Sequence, residues 1–95
     1  RAMSATALAC DFTKLDDVRS AAARLSQKPV DVLVLNAAVI APRRIITVDG
    51  LELTFVGNYL APYLLTHLLM LRLAEGARIV IMAADPVLLA RTPVD

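Results

Sequence analysis

Cysteine and histidine each occur once in this 95-residue chain. A lone cysteine excludes a disulfide framework. One Cys and one His cannot assemble any common zinc ligand set, so no metal is expected. Charge is scarce too: 20% of residues are Asp, Glu, Lys or Arg, with ten basic residues against nine acidic ones. No block of like charge interrupts the chain, so it has no electrostatic footprint for nucleic acid. What fills the sequence is apolar. At 58% hydrophobic it exceeds the roughly 45–50% of an ordinary globular chain, and with a net charge of +1 it does not read as intrinsically disordered. A small domain buries a smaller share of its surface than a large one. The excess is therefore expected to belong to a piece of a larger core or to a broad partner surface. Arg1 in place of an initiating Met fits a fragment.

Residues 53–71 carry no formal charge and reach the length of a membrane-spanning helix. Yet Thr54, Gly57, Asn58, Pro62, Thr66 and His67 interrupt them, with Asn58 and Pro62 near the middle, where polar groups are costly in lipid. No Lys/Arg cluster flanks either end as an orientation signal, and the N-terminus has no secretory apolar region. The expectation is no membrane span and a cytoplasmic, reducing location.

Three short apolar runs alternate with two helical patterns. Residues 5–10 form an alanine-rich run, weak as a strand. Thr13 then offers an N-cap, and Asp16 and Asp17 suit the positive end of a helix. Leu15, Val18, Ala22 and Leu25 recur at helical spacing, and Pro29 closes that element. Residues 30–35 are almost continuously β-branched or aliphatic, as in a parallel strand covered on both faces. Thr47, Asp49 and Gly50 prepare a second helix over 51–73. Its leucines wrap most of the circumference, which predicts burial on more than one side. Glu75 and Gly76 end it. Residues 78–84 form a third strand, Asp85 and Pro86 break it, and 85–95 make an irregular tail. The order β-α-β-α-β predicts a single α/β domain with a parallel sheet of three strands and two main helices. Ligands of such sheets bind beyond the carboxyl ends of the strands, here at Asp11 and Phe12, at Asn36, Ala37 and Ala38, and at Ala83 and Ala84.

Individual residues carry more than one reading. Pro62 cannot donate to the carbonyl of Asn58; the freed oxygen can hold a water, or Asn58 can simply sit at a kink. Asp11 can be a turn residue at a strand end. Cys10 reads as a small buried hydrophobe, His67 as a packing residue, and Arg43 and Arg44 as solvated loop residues.

Taken in order, the strand ends resemble the short-chain dehydrogenase/reductase family. Asp11-Phe12 looks like the Asp-hydrophobic motif after the family's third strand. Residues 32–38 (Val-Leu-Val-Leu-Asn-Ala-Ala) are similar to the fourth strand with its Asn-Asn-Ala-Gly motif. Asp49-Gly50-Leu51-Glu52-Leu53-Thr54-Phe55, through Asn58, is similar to the helix bearing the active-site asparagine. Residues 78–84 look like the fifth strand, which normally ends in Ser-Ser. The segment from Asp49 to Phe55 points to the retinol-dehydrogenase-like and WW-domain-oxidoreductase-like branch.

The resemblance implies a partial, doubly wound Rossmann-like domain that binds NAD or NADP. Asp11, Phe12, Asn36, Ala37, Ala38, Ala83 and Ala84 would lie on the cofactor, and Asn58 would anchor a water in the proton relay. An alcohol or carbonyl would be the small-molecule substrate, and the helix over 51–73 a route to a homo-oligomer. Against the family pattern, the chain has no glycine-rich phosphate turn and no Tyr-x-x-x-Lys. Tyr59 is followed four residues later by Tyr63, and Tyr63 by His67. Ala84 stands where the family places serine. The expectation is a central fragment of such an oxidoreductase, inactive alone, with residues 5–10 deprived of their sheet neighbour. The rival is a non-catalytic module that packs through its apolar helix.

Overall fold

The computed structural model describes residues 5–25 and 27–82. Helix α1 (Leu15–Leu25) is followed by strand β1 (Val30–Leu35). A short helix α2 (Leu53–Phe55) runs through a π-helical segment (Val56–Leu60) into helix α3 (Ala61–Leu69) and a 3-10 turn (Met70–Arg72). Strand β2 (Leu73–Ile81) completes the order.

The apolar spacing of α1 places Val18, Ala21 and Ala22 on one buried stripe. Its start differs from the sequence reading. Thr13 does not cap the helix; its hydroxyl donates to Asp11 Oδ1 at 2.6 Å. The amide of Leu15 instead donates to Asp49 Oδ2 at 3.1 Å. A carboxylate thus meets the positive end of α1, supplied by a turn 34 residues further along the chain. In that turn Gly50 has φ +77°, a left-handed conformation that glycine adopts without steric cost. Glu52 then caps α2, accepting from the amides of Thr54 (3.0 Å) and Phe55 (2.8 Å).

Strands β1 and β2 pair in parallel, with Val32, Leu33, Val34 and Leu35 opposite Arg78, Ile79, Val80 and Ile81. Before that the register breaks: Val30 pairs with Leu73, so residues 74–77 bulge out of the ladder. Gly76, at φ +77°, turns the bulge. Leu73 therefore already belongs to the strand, and Glu75 and Gly76 lie inside β2 rather than at a helix end.

One side of the sheet is covered. Val18, Ala22, Ala61, Leu65 and Leu69 form the core where α1 meets α3, and Leu33, Leu35, Leu64, Cys10 and Phe12 pack against it. A fully buried leucine such as Leu69 is worth roughly 1.5–3 kcal/mol. The other side of the sheet is open: Val32 and Val34 are 55% and 54% exposed. The expectation of strands buried on both faces is corrected here, because no described element lies over those valines.

Two further expectations change. Among the described residues the sheet has two strands, not three. Residues 5–10 take no strand pairing, in keeping with their weak propensity and with the expected lack of a sheet neighbour. The helix over 51–73 is shorter, segmented and buried along one stripe (Ala61, Leu65, Leu69), with Leu68, Met70 and Leu71 exposed. Among the described residues no helix is long and apolar enough to cross a membrane. Ala83, Ala84 and the tail over 85–95 lie outside the described residues.

Candidate functional site

The parallel ladder carries to its carboxyl end, where the amide of Met82 donates to the carbonyl of Leu35 at 3.1 Å. Asn36, Ala37 and Ala38 follow immediately and are all exposed. The next residue, Val39, is gripped by Asn58. Its N–H donates to Asn58 Oδ1 at 2.6 Å, and its carbonyl accepts from Asn58 Nδ2 at 2.6 Å. One carboxamide thus completes both hydrogen-bonding groups of one loop residue and ties the strand end to the helix.

That helix changes pitch where the clamp sits. Ala61 donates to Val56, a bond one residue wider than in an α-helix, and Pro62, which has no N–H, follows. Such π-turns mark functional sites in many helices. The carboxamide of Asn58 is oriented by Val39, and the backbone carbonyl of the same residue is the group that Pro62, having no N–H, leaves without its usual i+4 donor. Gly57, buried beside Asn58, lies against the side chain of Val39.

The adenine-side candidates are engaged locally. Asp11 Oδ1 accepts from both the amide (2.9 Å) and the hydroxyl (2.6 Å) of Thr13, while its own N–H donates to Asp17 Oδ2 at 3.2 Å. The Thr13 hydroxyl, then the Thr13 amide, hold the Asp11 carboxyl below the usual carboxylate value. Oδ2 of Asp11 has no hydrogen-bond partner among the described residues. Phe12 is half-buried against the core, so its ring serves packing. Burial pushes the Cys10 thiol up, with Asp17 and Asp11 adding to the effect, which keeps it protonated as befits a packed hydrophobe. His67, Arg43 and Arg44 are exposed. Among the described residues no group of His, Cys, Asp and Glu forms a metal site.

Val39, Gly57 and Glu52 escaped the sequence reading of site and caps, and Asp49, which the sequence places ahead of the second helix, serves α1 instead. Only Gly57 carried a local signal, an isolated glycine inside a helical pattern. A concavity of about 460 Å³ opens elsewhere, lined by Arg19, Ala22, Leu68, Leu71 and Arg72 among others. It includes none of the candidate residues.

No family model matches the chain. It is similar, however, to several known proteins. The WW domain-containing oxidoreductase of Gallus gallus is 35% identical over 83 residues, covering 83% of this chain and 20% of that protein. Retinol dehydrogenase 13 of Mus musculus is 39% identical over 69 residues, 70% of this chain and 21% of that protein. The chloroplastic protochlorophyllide reductase of Daucus carota is 41% identical over 70 residues, 68% of this chain and 18% of that protein. The chain thus spans about a fifth of the length of these relatives. An oxidoreductase, a dehydrogenase and a reductase define a class, the redox enzymes. All three belong to one group within it, and the chain is a member of that group: the short-chain dehydrogenase/reductase family.

Proposed function

We propose that this chain forms the central part of a nicotinamide dinucleotide site in an oxidoreductase acting on an alcohol or carbonyl, and that it does not turn over by itself. One observation carries the reading: the clamp of Asn58 on Val39 fixes an exposed, small-residue loop at the carboxyl end of a parallel strand pair. The residues present fit a dinucleotide. Ala37 and Ala38 put nothing beyond a methyl between the backbone and a ribose. Asn36 is exposed and offers both a donor and an acceptor. Asp11 keeps one carboxylate oxygen uncommitted, able to accept from an adenine amine. The backbone carbonyl of Asn58 would hold a water for proton delivery. When bound, the cofactor supplies the hydride chemistry.

This sequence contains no Tyr-x-x-x-Lys to act as acid and base, which is the ground for expecting no turnover. Calorimetric titration with NAD and NADP, alongside NAD(P)H oxidation with a panel of aldehydes, tests both halves. Weak dinucleotide binding without oxidation is the expected result. Oxidation above background removes the second half, and absence of binding at millimolar dinucleotide removes the first. The second reading, an interaction module or homo-oligomer built on the helix, draws on the outward row Phe55, Tyr59 and Tyr63. Phe55 lies tilted against Tyr59 and Tyr59 stacks on Tyr63, at 5.4 and 6.1 Å between centroids, with the two tyrosines 59% and 61% exposed. Sedimentation of the same sample separates the two: a dimer that binds no dinucleotide favours the module.

A further inference from the structure

We infer that Gly57 is a positioning residue: the missing side chain at 57 sets how deeply the pitch-changed helix seats against Val39, and thereby where the 36–38 loop is held. The inference rests on the reading of that loop as the dinucleotide contact. A Cβ built on Gly57 would stand 3.0 Å from Val39 Cγ2 and 3.3 Å from Val39 Cβ. Those separations are shorter than ordinary carbon–carbon contact. Val39 cannot retreat freely, because Asn58, the next residue of the helix, holds its N–H and its C=O at 2.6 Å each. Side chain and backbone of Val39 are thus fixed by two consecutive helix residues, one by what it lacks and one by what it offers. Glycine is the least favourable residue but proline inside a helix, and this close approach explains its presence at 57. The sizes of residues 39 and 57 therefore act as one shared quantity: a methyl gained on the helix must be offset by space made at Val39, whose Cγ2 is the nearest atom.

A double-substitution cycle in the 95-residue chain tests this. Gly57→Ala, Val39→Ala and the double variant are compared by amide hydrogen exchange at position 39 and by the side-chain amide resonances of Asn58. The amide of Leu65 serves as the core reference, and NAD titration is run on each protein. Gly57→Ala is expected to speed exchange at position 39 at least tenfold relative to Leu65 and to shift the Asn58 side-chain resonances. The double variant is expected to restore both. Three results overturn the inference: Gly57→Ala behaving as the parent, position 39 and Leu65 accelerating equally, or no restoration in the double variant. If the parent protein binds no NAD, the proposed function fails, while the exchange cycle still decides the role of Gly57.

Discussion

Replacing Asn58 with alanine removes two hydrogen bonds and nothing else of size. Each links a side-chain atom to the Val39 backbone at 2.6 Å. A typical intramolecular hydrogen bond contributes about 0.5–1.5 kcal/mol net. Asn58 is exposed, so water can reach the freed Val39 groups and no full desolvation penalty follows. Two bonds near the middle of the range give about 2 kcal/mol. Alanine then recovers roughly 0.6 kcal/mol through its better helix propensity. The expected net loss is about 1.4 kcal/mol, close to a tenfold drop in the folding equilibrium constant. Urea unfolding followed by circular dichroism reads it as a lower midpoint with an unchanged slope. Asn58→Asp is the informative companion. It keeps an acceptor for the Val39 N–H but sets a charged oxygen against the Val39 carbonyl, so at neutral pH its loss should at least equal that of alanine. An Asn58→Ala protein within about 0.3 kcal/mol of the parent, the usual scatter between independent sites, would refute the clamp as an energetic link.

Two further perturbations follow from the same geometry. Asp49→Ala should lower the urea midpoint by the equivalent of about 1 kcal/mol, the usual worth of a helix cap, while Asp49→Asn retains most of it; equal losses in the two variants would show that Leu15 does not depend on the acceptor. Acid should destabilise the chain. The carboxyls of Asp11 and Glu52 are both held below their ordinary values, Asp11 by Thr13 and Glu52 by the amides of Phe55 and Thr54. A lowered folded-state pKa contributes stability that is present above the unfolded value and is lost as pH falls through the folded one. The urea midpoint should therefore fall below the ordinary carboxylate range, less steeply in Asp11→Asn and Glu52→Gln; a midpoint that rises on acidification would reverse the argument.

The strand at 30–35 was legible residue for residue, because a run of valine and leucine bounded by Pro29 and Asn36 has few other ways to fold. An irregularity ahead of Pro62 was legible as well, since proline leaves a carbonyl without its usual donor whatever the tertiary context, and the structure shows it as a change of pitch over Val56–Leu60. Contacts between distant segments were not legible. Nothing local announces that Asp49 reaches back to Leu15 rather than capping the helix that follows it, and glutamate at 52 is an uncommon cap. The unpaired state of residues 5–10, which their weak propensity and missing neighbour suggest, and the open outer face of β1, which the sequence reading places under cover, share one reason. Apolar sequence reports that a surface favours cover, but the cover must come from some element, and here the described elements protect one side only. At the site, the strand-end motifs identified the family correctly. They did not reveal that Thr13 already occupies one oxygen of Asp11, or that Val39 claims the carboxamide of Asn58.

The two-strand sheet has a consequence for how the chain behaves in company. With only β1 and β2 paired among the described residues, each strand is also a border of the described sheet. Along its outer side run main-chain donors and acceptors that no described strand engages. Such a border is a template for any extended segment that meets it, and the exposed valines of β1 offer that segment an apolar bed. At rising concentration the chain should recruit copies of itself or a foreign strand, and light scattering would follow that growth. A charged residue at Val32 or Val34 should then hold the chain in solution more effectively than any change to its helices.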